Sequence, residues 1–343
     1  MIYFILVVYL VFCAIAFPNR NKYYLLLFSF LPLFIVSAFR DVTVGYDLLA
    51  YEEVYKDIAI RDWKNVFDYS FEYGYLFYNK LLTLISDSTQ CLILVTSLIV
   101  LVNVYVFVFT FSNKIVITLC LFVTLGYYCD SFNILRQYIA LSIVYYSLKY
   151  IIQNRLCLYY IGVLIAASFH ITAIITLFLP LLIRVKISWK YFIIILMTFS
   201  LLSFLLGNIL FQSIMRLMYL SYSDEMIGGG GLFMFGFLLL ITCWGLFYKK
   251  KKLTTSDSLL YHLMIWATAM QLLSYQFSLF SRVIVYFSFA AIVFIPNVIC
   301  GIENRCLKTF YYSVFWGIQA FFFALYLNCL LYTSPSPRDA HES

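Results

Sequence analysis

Apolar runs of roughly 17 to 25 residues recur from end to end of this chain, each long enough to cross about 30 Å of hydrocarbon as a helix. Inside a bilayer every backbone N–H and C=O needs an internal partner, so runs of this kind become helices and not irregular chain. Only 11% of the 343 residues are charged and 64% are hydrophobic, too little polar surface to wrap a soluble core of this size. A membrane barrel needs alternating segments of about ten residues, and the sequence has none. The expected fold class is therefore an all-α polytopic integral membrane protein with about 10–12 transmembrane helices. A single membrane domain over residues 1–328 holds all of them.

The candidate spans are 2–17, 23–39, 91–111, 114–128, 133–151, 156–169, 171–184, 190–206, 231–248, 258–275, 283–300 and 309–328. Positive residues cluster in alternate connectors: Arg20/Lys22, Lys114, Lys149/Arg155, Arg184/Lys186/Lys190, Lys249 to Lys252, and Arg305/Lys308. Placing these in the cytoplasm puts the N-terminus outside and requires about twelve crossings. Leu156 to Ile183 is one apolar block with positives on both flanks, so an even number of crossings is needed. It reads as two helices of about 14 residues, near 21 Å each, hinged at Phe169–His170. A single long span is the competing reading and would invert everything downstream.

Two outer loops are large enough to carry chemistry. The first, about 40–90, is acidic and contains an amphipathic segment, Gly74 to Ser86. There Leu76, Phe77, Leu81 and Leu82 oppose Asn79, Lys80 and Thr83, the pattern of an interfacial helix. The second, 207–230, leads into four consecutive glycines at 228–231, a flexible entry and a candidate lid. Ile2 to Phe17 lacks a basic leader and a small-residue cleavage site, so it reads as a retained span. Cysteines are scattered singly, with no ligand spacing, and the net charge of +7 lies in loop clusters and not in a nucleic-acid-binding stripe. The segment Cys329 to Asp339, CLLYTSPSPRD, resembles the in-frame translation of a sequencing adapter. Residues 329–343 are expected to be non-native, with the native chain continuing past Asn328.

Arg40, Arg136, Arg282 and His170 fall at the span ends opposite the Lys-rich connectors. Cations there run against the usual cytoplasmic bias. In FNILRQYIA, the residues Asn133, Arg136, Gln137 and Ala140 are spaced to share one helical face at a helix N-terminus, where the macrodipole favours an anion. Arg40 closes the second span, and Arg282 opens another with Tyr286 one turn deeper. Guanidinium forks stay charged and suit phosphate oxygens; the bland alternative is snorkelling to headgroups or pairing with a loop carboxylate. His170 is an ionisable group inside an apolar block, a functional candidate with a pKa suited to proton transfer, against the plainer role of helix packing. Asp47, followed by Tyr51, and Glu72, followed by Tyr75 and Asn79, are the other acid/base candidates. Tyrosine faces offer stacking surfaces for sugar rings.

Taken together, Arg40 with Val44-Gly45-Tyr46-Asp47 and Tyr51, Glu72-Tyr73-Gly74-Tyr75 with Asn79, Asn133-x-x-Arg136-Gln137, Phe169-His170 and Arg282-x-x-x-Tyr286 resemble the EpsG family. This is the oligosaccharide-polymerase group related to Wzy, the O-antigen, capsule and exopolysaccharide repeat-unit polymerases. The motifs run in order over about residues 1–300; the more usual form has Thr where Tyr46 stands. The resemblance implies a multi-pass enzyme of the bacterial cytoplasmic membrane with its site on the outer face. It would move a growing glycan from undecaprenyl pyrophosphate onto the next lipid-linked unit, with membrane lipid around it and a chain-length regulator as candidate protein partner. By the same implication Arg40, Arg136 and Arg282 hold the donor pyrophosphate. His170, Asp47 or Glu72 moves protons, and Tyr51, Asn133, Gln137 and Tyr286 position the glycan. No cofactor, metal or nucleic acid is expected.

Three other readings remain open on the residues alone. An O-antigen ligase uses the same donor but generally has a longer late outer loop than 207–230. A lipid-oligosaccharide flippase distributes charges along an internal path. A metal-dependent polyprenyl-phosphate glycosyltransferase would want paired acids such as Glu52-Glu53.

Overall fold

The computed structural model describes residues 2–16, 22–206, 231–249, 252–274 and 280–332. Among them there is no strand, and the chain is an all-α polytopic membrane protein. Its outward surfaces are as greasy as its core. Phe4, Ile5, Val8 and Phe12 of α1 (Ile2–Ala16) are exposed, as are Ile193, Ile194, Met197 and Leu201 of α11 (Trp189–Leu206). Exposed stripes of that kind suit acyl chains and not water.

Two helical stretches are long and apolar enough to span a bilayer unaided, α5 (Thr89–Phe111) and the pair α14 (Phe280–Ser288) with α15 (Ala291–Gly301). Expected straight spans are broken elsewhere. The run 114–128 divides into α6 (Ile115–Thr124) and α7 (Tyr127–Asn133), bent by 51° at Gly126. A second break at Ile134 precedes α8 (Leu135–Ile152), so Asn133 ends one helix and Arg136 opens another. The shared face expected for Asn133, Arg136 and Gln137 is therefore not formed. Shorter apolar helices, including α2 (Lys22–Ala38) and α12 (Leu232–Phe247), complete the set.

The block 156–183 is a hairpin. Helix α9 (Leu156–Phe169) ends at His170, whose backbone is extended, and a 3-10 helix over Ile171–Phe178 leads into α10 (Leu179–Leu182). The return arm lies back along α9, and the Tyr159 hydroxyl donates across it to the carbonyl of Thr176 at 2.6 Å. Next, α13 (Thr255–Ser274) packs against α11, and α16 runs over Arg305–Tyr332.

The contacts sort the helix ends into two sets. Gln90 at the start of α5 donates to the carbonyl of Ala38 at the end of α2. At the other end of α5, Asn297 of α15 donates to the carbonyl of Phe111 at 2.8 Å. Lys114, Lys149 and Arg155 belong to that second end, away from Arg40 and Arg136. Arg20, Lys250, Lys251, the candidate lid at 207–230 and residues 333–343 lie outside the described residues.

The first large loop is mostly helical. It contains α3 (Leu48–Ile60), a 3-10 turn at Val66–Asp68 and α4 (Tyr73–Thr83). The polarity of α4 follows the amphipathic expectation only in part: Leu76 and Leu82 are buried, but Asn79 and Lys80 are buried with them, while Phe77 and Leu81 are exposed. The cause is a partner distant in sequence: Lys80 Nζ donates to the carbonyls of Ile58 and Arg61 at 3.0 and 2.6 Å. It thereby satisfies the C-terminal carbonyls of α3, the negative end of that helix.

Candidate functional site

Glu72 stands at the N-cap of α4 with no side-chain bond to its own helix. Its carboxylate reaches two other elements instead. Oε2 accepts from Arg136 Nη1 at 2.5 Å, on the first turn of α8. Oε1 meets His170 Nδ1 at 2.9 Å and accepts from the backbone N–H of Ile171 at 3.2 Å. Burial by itself pushes the Glu72 carboxyl up; the His170 hydrogen bond, a backbone hydrogen bond and the Arg136 charge outweigh it and hold the group down at about 2. An ionised carboxylate only accepts hydrogen bonds. In neutral His170 the proton must then sit on Nδ1, which leaves the Nε2 lone pair as the basic position. That nitrogen is buried and has no hydrogen-bond partner among the described residues.

With both oxygens engaged and the group ionised far below neutrality, Glu72 has no proton to give, which sets aside the acid half of its expected acid/base role and leaves a carboxylate that holds Arg136 and His170 together. Arg136 is gripped from the other face as well: its guanidinium lies 4.0 Å from the centroid of the Phe71 ring. Tyr51 faces the same guanidinium. The Tyr51 ring is buried against Tyr75 at 5.8 Å, so it supports Arg136 and offers no stacking face to a sugar.

Neighbouring contacts tie in the remaining motifs. Gln137 Nε2 donates to the carbonyl of Arg282 at 2.6 Å, bringing the start of α14 against α8. Tyr286 is buried one turn on, and its hydroxyl accepts from Thr172 at 3.5 Å. Asn133 accepts from the backbone N–H of Tyr46 at 2.9 Å, pinning the 41–47 loop. Gly45 makes this approach feasible, with φ of +137° and room for only 2.8 Å between an added Cβ and the carbonyl of Phe132. Arg40 lies over the Phe132 ring at 4.5 Å and donates to Ser97 at 3.1 Å. Through these contacts Arg40, Glu72, Arg136, His170 and Arg282 all occupy one end of the bundle.

A model of the EpsG family matches residues 23–336. The chain belongs to the EpsG family. EpsG is a Wzy-like polymerase family, which places the chain among the polysaccharide polymerases in general. No curated protein matches the chain, and no solved structure does.

On this EpsG-family chain the three arginines are not equivalent. Arg282 is exposed, Arg136 is half-buried and paired with a carboxylate, and Arg40 is buried among aromatics. Burial lowers the Arg40 guanidinium to about 10, which still leaves it charged at neutral pH. Its Nε and Nη2 have no partner among the described residues. Asp47 is exposed at the N-cap of α3, near Tyr51, and makes no capping bond. Among the described residues no cluster of three or more His, Cys, Asp or Glu has the geometry of a metal site.

Sequence reasoning missed the Glu72–Arg136–His170 convergence. It also missed the contacts of Phe71 and Thr172, and set Lys80 on the polar side of an interfacial helix, where the structure buries it.

Proposed function

We propose that this chain polymerises lipid-linked oligosaccharide repeat units at the outer face of the bacterial cytoplasmic membrane, using undecaprenyl pyrophosphate as the donor carrier. The observation that carries the reading is the Glu72 carboxylate bridging Arg136 and His170, with Arg282 at the same end of the bundle, in a member of the EpsG family. Arg282 and the outer edge of Arg136 hold the donor diphosphate, and Arg40 contributes positive potential from behind. Nε2 of His170 takes the proton of an acceptor sugar hydroxyl. That oxygen then forms a bond to the anomeric carbon, whose bond to the diphosphate oxygen breaks with the electron pair leaving on the diphosphate. Fixed cations lower the barrier by stabilising that leaving charge. Gln137, Asn133, Tyr51 and Tyr286 hold the scaffold around these groups.

The test is reconstitution of the purified chain in proteoliposomes with a synthetic lipid pyrophosphate-linked repeat unit. A ladder of products with release of undecaprenyl pyrophosphate, insensitive to EDTA, is the expected result. Single transfer to a lipid A-core acceptor would favour the ligase reading. Movement of the lipid across the bilayer without a new glycosidic bond would favour the flippase.

A further inference from the structure

Gly74 sits two residues past Glu72, in the first turn of α4, against the last turn of α9. A Cβ there would lie 2.7 Å from the Cβ of Ser168 and 2.7 Å from its carbonyl oxygen, where ordinary contact begins at 3.4 Å. A side chain can swing aside; a carbonyl in a helix cannot. The next residues are fixed too, since the His170 N–H bonds the carbonyl of Ala166 at 3.0 Å. The contact therefore sits two residues from each partner of the Glu72–His170 pair, backbone against backbone.

We propose that Gly74 is a positioning residue, setting the separation of Glu72 and His170 by letting α4 seat directly on the end of α9. It touches no substrate and acts through Glu72. The inference rests on the reading of Glu72 and His170 as parts of the transfer site. Gly162 provides a comparison within α9: a Cβ there would lie 2.9 Å from the Cβ of Ser147 on α8, a packing contact of the same kind at mid-helix.

The experiment measures polymerisation by purified Gly74→Ala, Glu72→Gln, Gly162→Ala and the double variants. Displacing Glu72 by the better part of an ångström is expected to cost about a hundredfold in rate. Glu72→Gln should cost a similar factor, and the double variant Glu72→Gln/Gly74→Ala should be no slower than Glu72→Gln alone. Gly162→Ala should instead combine multiplicatively with Glu72→Gln. The loss in Gly74→Ala should fall on kcat with the KM for the lipid-linked acceptor unchanged, the signature of a misplaced group and not of lost substrate binding. Ser168→Val adds bulk to the same contact from the α9 side and should reproduce the Gly74→Ala phenotype if the latter accumulates poorly.

Wild-type rate in Gly74→Ala, or a loss that multiplies with that of Glu72→Gln, overturns the positioning role while leaving Glu72 in the site. Failure of both Gly74→Ala and Ser168→Val to fold marks the contact as structural and overturns it too. Wild-type rate in Glu72→Gln overturns the site reading itself.

Discussion

Replacing Glu72 by glutamine keeps the shape of the side chain and removes the negative charge on which Arg136 and His170 converge. The carboxyl is held at about 2 against an ordinary value of 4.5. At 1.36 kcal/mol per unit, that difference stabilises the folded chain by about 3 kcal/mol at pH 7. The side chains of the ion pair are 20% and 19% exposed, so solvent screening removes only part of this. Because the folded value is depressed, the contribution is complete above the ordinary value and lost as pH falls through the folded one. Roughly 1.4 kcal/mol should survive at pH 3. The assay is SDS-driven unfolding in mixed micelles, followed by far-UV circular dichroism, of wild type and Glu72→Gln at pH 7 and pH 3. The stability gap between them should shrink by about half on acidification. A gap that is the same at both pH values, or under about 1 kcal/mol at pH 7, would refute the ionised, doubly gripped Glu72 described above.

Arg282→Ala should leave stability within about 0.5 kcal/mol of wild type, because the side chain is exposed, while raising the KM for lipid-linked donor; detergent-solubilised unfolding and initial rates check both halves. Lys80→Met uncaps the carbonyls of Ile58 and Arg61 and should cost about 1–3 kcal/mol, seen as faster proteolytic nicking in the 60–70 segment. Single cysteines at positions 47 and 282 should react with a membrane-impermeant maleimide from the same compartment, and cysteines at 114 and 308 from the opposite one. Labelling of 47 and 282 from opposite compartments would contradict the single-ended site.

The helical runs were legible because lipid solvation leaves an apolar stretch of that length few alternatives. The turn at His170 was legible for a related reason: positives at both flanks of 156–183 demand an even number of crossings, and the Tyr159–Thr176 bond now closes that hairpin. The breaks at Gly126 and Ile134 were not, since a single glycine in an apolar run carries no fixed meaning and Ile134 carries none. Helix α4 departs from its pattern at Asn79 and Lys80 because hydrophobic pattern reports a face and not its partner; the carbonyls that bury Lys80 belong to a different helix. The convergence on Glu72 joins residues 64 and 98 positions apart, a pairing that local spacing cannot express. Sequence placed cations at one end of the bundle and left open which of them a carboxylate would claim.

Single-turnover glycan transfer by purified His170→Gln, with saturating acceptor and a synthetic lipid pyrophosphate-linked donor, tests the proposed chemistry most directly. Glutamine preserves a hydrogen bond to Glu72 but supplies no basic nitrogen, so the transfer rate should fall by about 10²–10⁴ with donor affinity unchanged. Transfer at the wild-type rate would contradict the account.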